Sequence, residues 1–191
     1  MCIEGFPRSA NSFLTLYFMQ YNKRVEIAHH LHLPMQYKKA VSFKIPTIVL
    51  LRHPLDAITS LLIRERFLYP SLAIISYIWF YKALLKYTNK VLIVHFKNVI
   101  SAPDEVIDRL NKQFNSNFHH VPLTGEMKQN IFTLIDQVDA LTKNDSLSLA
   151  RPTQEKDSKK EKVKTIILQS NFYPQALNLY YQLVKYTGTS V

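Results

Sequence analysis

Cysteine is almost missing from this chain. Cys2 is the only one in 191 residues, which excludes an internal disulfide framework and any zinc site built on cysteine. It fits a reducing compartment, and a cytoplasmic location is expected. Long apolar runs are missing as well. The most apolar later stretch, Leu72 to Leu85, is interrupted by Ser76 and Lys82; it is too short for a membrane span and reads as a buried helix. No signal peptide is visible, because the first residues run straight into a polar turn. Acids are in deficit: 14 Asp+Glu stand against 24 Lys+Arg, a net charge of +10.

What is present is enough for one globular domain. A chain of 191 residues that is 47% hydrophobic can build a real core, and residues 1–191 read as a single unit without internal repeats. The basic surplus sits at the ends. Residues 1–66 carry 9 basic against 4 acidic side chains, residues 67–150 carry 8 against 7, and residues 151–191 carry 7 against 3. Such a surplus implies an anionic partner: nucleotide, nucleic acid, acidic glycan or membrane surface.

Two stretches carry the chemistry. The first is Gly5-Phe6-Pro7-Arg8-Ser9-Ala10-Asn11-Ser12-Phe13. A short apolar lead enters it, and an apolar stripe (Phe13, Leu14, Leu16, Tyr17, Phe18) leaves it, which reads as strand, turn and helix start. Free backbone N–H groups at a helix entrance, with the positive end of the helix dipole, make an anion pocket. Arg8 adds a planar fork of donors suited to phosphate or sulfate oxygens. The second stretch follows the β-branched strand Pro46 to Leu51 and reads Arg52-His53-Pro54-Leu55-Asp56-Ala57-Ile58-Thr59-Ser60.

Together these resemble the sulfotransferases that use 3′-phosphoadenosine 5′-phosphosulfate. Gly-Phe-Pro-Arg-Ser-Ala-Asn-Ser is similar to that family's 5′-phosphosulfate loop, which would make Pro7, Arg8, Ser9, Ala10, Asn11 and Ser12 cofactor-binding. The second stretch is similar to its 3′-phosphate motif, an arginine followed eight positions on by a serine, which would assign Arg52 and Ser60. His32-Leu33-Pro34 resembles the family's histidine-leucine-proline segment, whose histidine is the general base; imidazole suits that task near neutral pH. His30 is the rival base. The short connection between the loop and His32 resembles compact bacterial members. Phe96, after the strand Val91 to Val94, matches the ring that touches adenine in the family, although Lys97 and Asn98 replace the usual acids. Ala10 and Asn11 stand where the family more often has glycine and threonine, which keeps open a member that binds nucleotide without turnover.

Along the chain, strands are expected at about 1–5, 24–28, 46–51 and 91–95, alternating with helical stretches. That pattern gives an α/β fold with a central parallel sheet of about four to five strands and helices on both faces; the resemblance implies the three-layer P-loop-like type. Arg8, His32, Arg52 and Phe96 each follow a strand end, where ligands of such sheets bind. His29, His30 and His32 suggest a metal at first sight, but no carboxylate or cysteine lies close in sequence and a zinc site wants three or four converging ligands; no metal is expected. Residues 143–162 are polar, broken by Pro152 and densely charged, and read as a mobile loop. As a lid it would bring Arg151, Lys159 or Lys160 over the nucleotide.

The expected reaction is in-line sulfuryl transfer to a small-molecule or glycan acceptor, with Arg8 and His32 as catalytic residues, no metal and no nucleic acid. A nucleotide kinase would want Gly-x-x-x-x-Gly-Lys-Ser/Thr and a strand-end acid for magnesium; this loop has one glycine, no lysine, and Arg52 at the strand end. A nucleic-acid-binding domain would want a continuous basic face with exposed aromatics, whereas the motif residues concentrate at strand ends.

Overall fold

The structure, a computed structural model, describes residues 1–142 and 154–188. Four short segments make the sheet: β1 (Cys2–Gly5), β2 (Ala28–His29), β3 (Thr47–Leu51) and β4 (Leu92–His95). All pairings are parallel, in the order β2-β1-β3-β4. Cys2 lies opposite both Ala28 and Thr47, and Ile48 lies opposite Leu92. β1 and β3 are buried along their whole length, the expected state of parallel strands covered on both faces.

Strand side chains alternate between two cores. Val49, Leu51 and Ile93 pack with α2 (Pro34–Ser42), α3 (Pro54–Arg64), α4 (Pro70–Leu84), α8 (Gln154–Leu168) and α9 (Tyr173–Val184). Ile3, Ile48, Leu50, Leu92 and Val94 pack with α1 (Asn11–Tyr21), α5 (Phe96–Ser101), α6 (Pro103–Phe114) and α7 (Gly125–Thr142). The result is the expected α/β sandwich of helix, sheet and helix. Proline sets the entrances: Pro34, Pro54, Pro70, Pro103 and Pro174 each lie in the first turn of a helix, where a missing N–H costs nothing. Among the described residues no helix is long and apolar enough to cross a membrane.

The strand expected at 24–28 is corrected by the structure. β2 is only Ala28 and His29, both exposed at the sheet edge. The alternation that suggests a longer strand has another cause: Val25 and Ile27 pack onto the α1 side of the core from irregular chain. A second correction concerns 143–162. Residues 154–162 belong to α8, because lysine and glutamate are good helix formers even without an apolar stripe; the Lys164 ammonium reaches the Glu161 carboxylate at 2.8 Å, one turn back. The remainder of that expected loop, with Arg151, lies outside the described residues.

Connectivity positions the site. The chain leaves β1 through α1, in one helical layer, towards β2. It leaves β3 through α3, in the other layer, towards β4. Between adjacent strands whose exits diverge in this way, a crevice opens at the carboxyl ends.

Candidate functional site

Gly5 closes β1 against its neighbour. A Cβ there would lie 2.9 Å from the Leu50 Cβ and 3.0 Å from the Leu50 carbonyl oxygen, so only glycine lets β1 approach β3 this closely. The following loop turns through the left-handed region at Arg8 (φ 67°) and Ala10 (φ 72°). Two non-glycine residues in that region cost conformational energy, and neighbouring contacts hold them there. Asn11 Nδ2 donates to the Phe6 carbonyl at 3.2 Å. The Phe6 N–H donates to the Tyr81 hydroxyl, which itself donates to the Leu50 carbonyl at 2.6 Å.

These contacts sort the loop's residues by task. Ser9 and Asn11 are buried and shape the turn. Pro7, Arg8, Ala10 and Ser12 stay partly exposed. α1 begins with no side-chain cap, so its first N–H groups keep their capacity to bind an anion.

The second motif meets the first directly. Arg8 Nε donates to Ser60 Oγ at 3.2 Å, and Arg52 Nη1 donates to the Arg8 carbonyl at 2.5 Å. The Arg52 guanidinium also lies over the Phe96 ring, 4.3 Å from its centroid, while its own carbonyl accepts from Tyr77 Oη at 2.8 Å. Arg8 from the loop after β1, Arg52 just past β3, Ser60 on α3 and Phe96 at the start of α5 therefore form one connected cluster. Burial lowers the Arg52 pKa, with Asp56 acting the other way. Among the described residues no carboxylate lies within ion-pair distance of Arg52. A half-buried cation without an anionic partner is a binding-site signature.

The histidines occupy the next crossing of the chain, beyond β2. His30 (φ 63°) and His32 (φ 54°) are also left-handed. Of the six non-glycine residues with positive φ among the described residues, four therefore fall in the two loops beyond β1 and β2. Strain of this kind gathers at functional sites. The segment is not extended, so strand alternation does not decide which way each ring faces. Hydrogen bonds decide more. His32 Nδ1 lies 2.8 Å from the Gly5 carbonyl, a pure acceptor, so Nδ1 carries the proton and Nε2 holds a free lone pair. His30 Nε2 instead meets Ser12 Oγ at 3.0 Å, and its Nδ1 touches the His29 ring. Burial lowers the pKa of both His30 and His32, which leaves them neutral at pH 7.

Glu4 is the residue that sequence reasoning missed. It is fully buried at the end of β1. Its Oε1 accepts the N–H groups of Leu31 (2.9 Å) and His32 (3.2 Å), and its Oε2 accepts that of Gly5 (3.1 Å). Burial lifts its pKa to about 6, against the opposing pull of those three amides. The carboxylate thus ties the histidine segment to the end of β1, where the loop of residues 7–12 begins. An acid inside the apolar run Met1 to Gly5 was the available signal. Tyr180 was also missed: His95 Nε2 meets its hydroxyl at 2.9 Å and the His53 ring packs edge-on to it at 5.0 Å, so α9 closes the strand-end side beside Phe96.

Cys2 is buried, with its thiol pushed up to about 12 by desolvation, which makes it inert packing. Among the described residues no group of three or more histidine, cysteine, aspartate or glutamate side chains is arranged to hold a metal ion. Comparison with protein-family models, with curated proteins and with solved structures finds no match for this chain.

Proposed function

We propose that this chain is a sulfotransferase on a P-loop-like fold, moving the sulfuryl group of 3′-phosphoadenosine 5′-phosphosulfate to a hydroxyl or amine of a small-molecule or glycan acceptor. The observation that carries the proposal is the joining of the two arginine motifs, Arg8 to Ser60 and Arg52 to the Arg8 carbonyl, in the crevice between β1 and β3. A nucleotide phosphorylated at both ends needs two anion sites a ribose apart. An uncapped helix entrance and a half-buried arginine without a carboxylate answer that need.

In this reading the N–H groups of residues 9–12 take the 5′-phosphate, Arg52 and Ser60 take the 3′-phosphate, and Phe96 lies beside the base. The acceptor oxygen or nitrogen forms its bond to sulfur as the bond from sulfur to the bridging phosphate oxygen breaks. Arg8 offsets the charge that gathers on the departing oxygen. The acceptor's proton passes to His32 Nε2, the nitrogen left free by the Nδ1–Gly5 hydrogen bond. Glu4 and the Gly5 carbonyl hold that imidazole in position. The test is equilibrium binding of 3′-phosphoadenosine 5′-phosphate without metal, beside AMP and beside ATP with magnesium.

A further inference from the structure

Between Glu65 and Asp104 the sequence holds no acidic residue, while Arg66, Lys82, Lys86, Lys90 and Lys97 are basic. α4 lies inside that stretch. Its inner face is core: Tyr77, Phe80, Tyr81 and Leu84 are buried, and the Tyr77 and Tyr81 hydroxyls serve the strand end at Arg52 and Leu50. The sequence suggests that Trp79 belongs to this core too, but it does not.

The outer face of a surface helix is normally polar. Here Leu72, Ile75 and Trp79 recur at the spacing of one helical stripe and are 53%, 41% and 55% exposed. Lys82 continues the same stripe three residues beyond Trp79, Lys86 follows in the turn just past the end of α4, and both are exposed. At the other end, Tyr69 caps the helix at 71% exposure and Phe67 precedes it at 98%. The stripe is therefore apolar and aromatic along most of its length, with Lys82 at its C-terminal end and Lys86 just beyond.

We propose that this outer face of α4 docks on an anionic membrane surface, with the helix lying in the plane of the interface. Tryptophan and tyrosine are suited to the headgroup boundary because one part of each ring system is apolar and the other polar. Apolar side chains beside lysines are the make-up of helices that bind such surfaces. The absence of acids across the whole stretch removes the repulsion that lipid phosphates and carboxylates would otherwise meet. This docking does not depend on the activity proposed above, since the face is formed by the side of α4 turned away from the nucleotide cleft.

The protein supplies its own reporter, because Trp79 is its single tryptophan. The experiment titrates the full chain with vesicles of phosphatidylcholine alone and of phosphatidylcholine with phosphatidylserine, reading tryptophan emission and co-sedimentation. With the anionic vesicles the emission should shift to the blue and the protein should sediment, both less so as salt is raised. Lys82→Gln and Lys86→Gln should each weaken partitioning about fivefold, and Ile75→Ser should weaken it too. Circular dichroism checks that the variants are folded; the two lysines lie on the exposed face, so their variants decide the matter if Ile75→Ser does not fold. Sedimentation without an emission shift would assign membrane binding to another basic surface and overturn the proposal. Indifference of partitioning to both lysines, or no binding at all, would do the same. A blue shift that grows with protein concentration in the absence of vesicles would assign the face to a second copy of the chain instead.

Discussion

Arg8 and Ser60 are 52 residues apart in sequence, yet Arg8 Nε donates to Ser60 Oγ over 3.2 Å. The contact spans β1 and α3, and so joins two segments that leave the sheet into opposite layers. It brings the two arginine-bearing motifs into direct contact. It also preorganises Arg8, whose guanidinium is held by protein before any ligand arrives.

Arg52 should be needed for nucleotide more than for the fold. Its replacement by alanine removes a charged fork that has no carboxylate partner among the described residues. Affinity for 3′-phosphoadenosine 5′-phosphate should fall by about 1.5–3 kcal/mol, the range for charged hydrogen bonds. Arg52→Lys should recover only part of this, because lysine keeps the charge but loses the fork and the stacking on Phe96. Calorimetric titration of the three proteins reads the outcome.

Gly5→Ala should destabilise the protein. The added methyl would lie 2.9 Å from the Leu50 Cβ, within the backbone contact of two paired strands, where little can give way. Overpacking of this kind costs about 1–3 kcal/mol. A lowered urea midpoint with an unchanged slope is the expected result.

The two histidines are separated by function. His32→Ala should bind nucleotide like the wild type and lose about 10²–10⁴ in rate with an acceptor that turns over. His30→Ala should keep most of its activity. Because burial lowers the His32 pKa from 6.5, and only the neutral ring accepts a proton, the acid limb of kcat/KM should lie below pH 6.5. If His30→Ala is the inactive variant and His32→Ala the active one, the base is His30.

Much of this was readable in the sequence because it rests on local physics. Three of the four strands are apolar runs of strand length, and proline announces helix after helix. The position of the loop of residues 7–12 and of Arg52 at strand ends was legible. The parts that were not legible depend on partners distant in sequence. β2 is a two-residue edge strand that exists only because β1 lies beside it. The polar start of α8 carries no apolar period. Glu4 acquires its role from the amides of Leu31 and His32, far along the chain, and Tyr180 from His95 on another element. The left-handed turns at Arg8, Ala10, His30 and His32 occur without glycine, so no residue type marks them.

Glu4 makes a prediction about pH. Its folded pKa of about 6 exceeds the ordinary 4.5, so the native state holds this proton more tightly than the unfolded chain. Glu4 therefore contributes stability that is lost as pH rises from about 4.5 through 6, up to about 2 kcal/mol. The lowered histidines act in the opposite sense, losing stability as pH falls below 6.5. Comparison with Glu4→Gln isolates the carboxyl. The stability of the wild type relative to this variant should decline across that window in chemical denaturation, and a constant difference would assign Glu4 an ordinary pKa.

The most direct test of the function is a calorimetric titration with 3′-phosphoadenosine 5′-phosphate in the presence of a chelator, run beside AMP. If Arg52 and Ser60 hold a 3′-phosphate while the α1 entrance holds the 5′-phosphate, the bisphosphate should bind more tightly than AMP by about 1.5–3 kcal/mol, and Arg52→Ala should remove that advantage. Equal affinity for the two nucleotides, or a requirement for magnesium, would contradict the assignment.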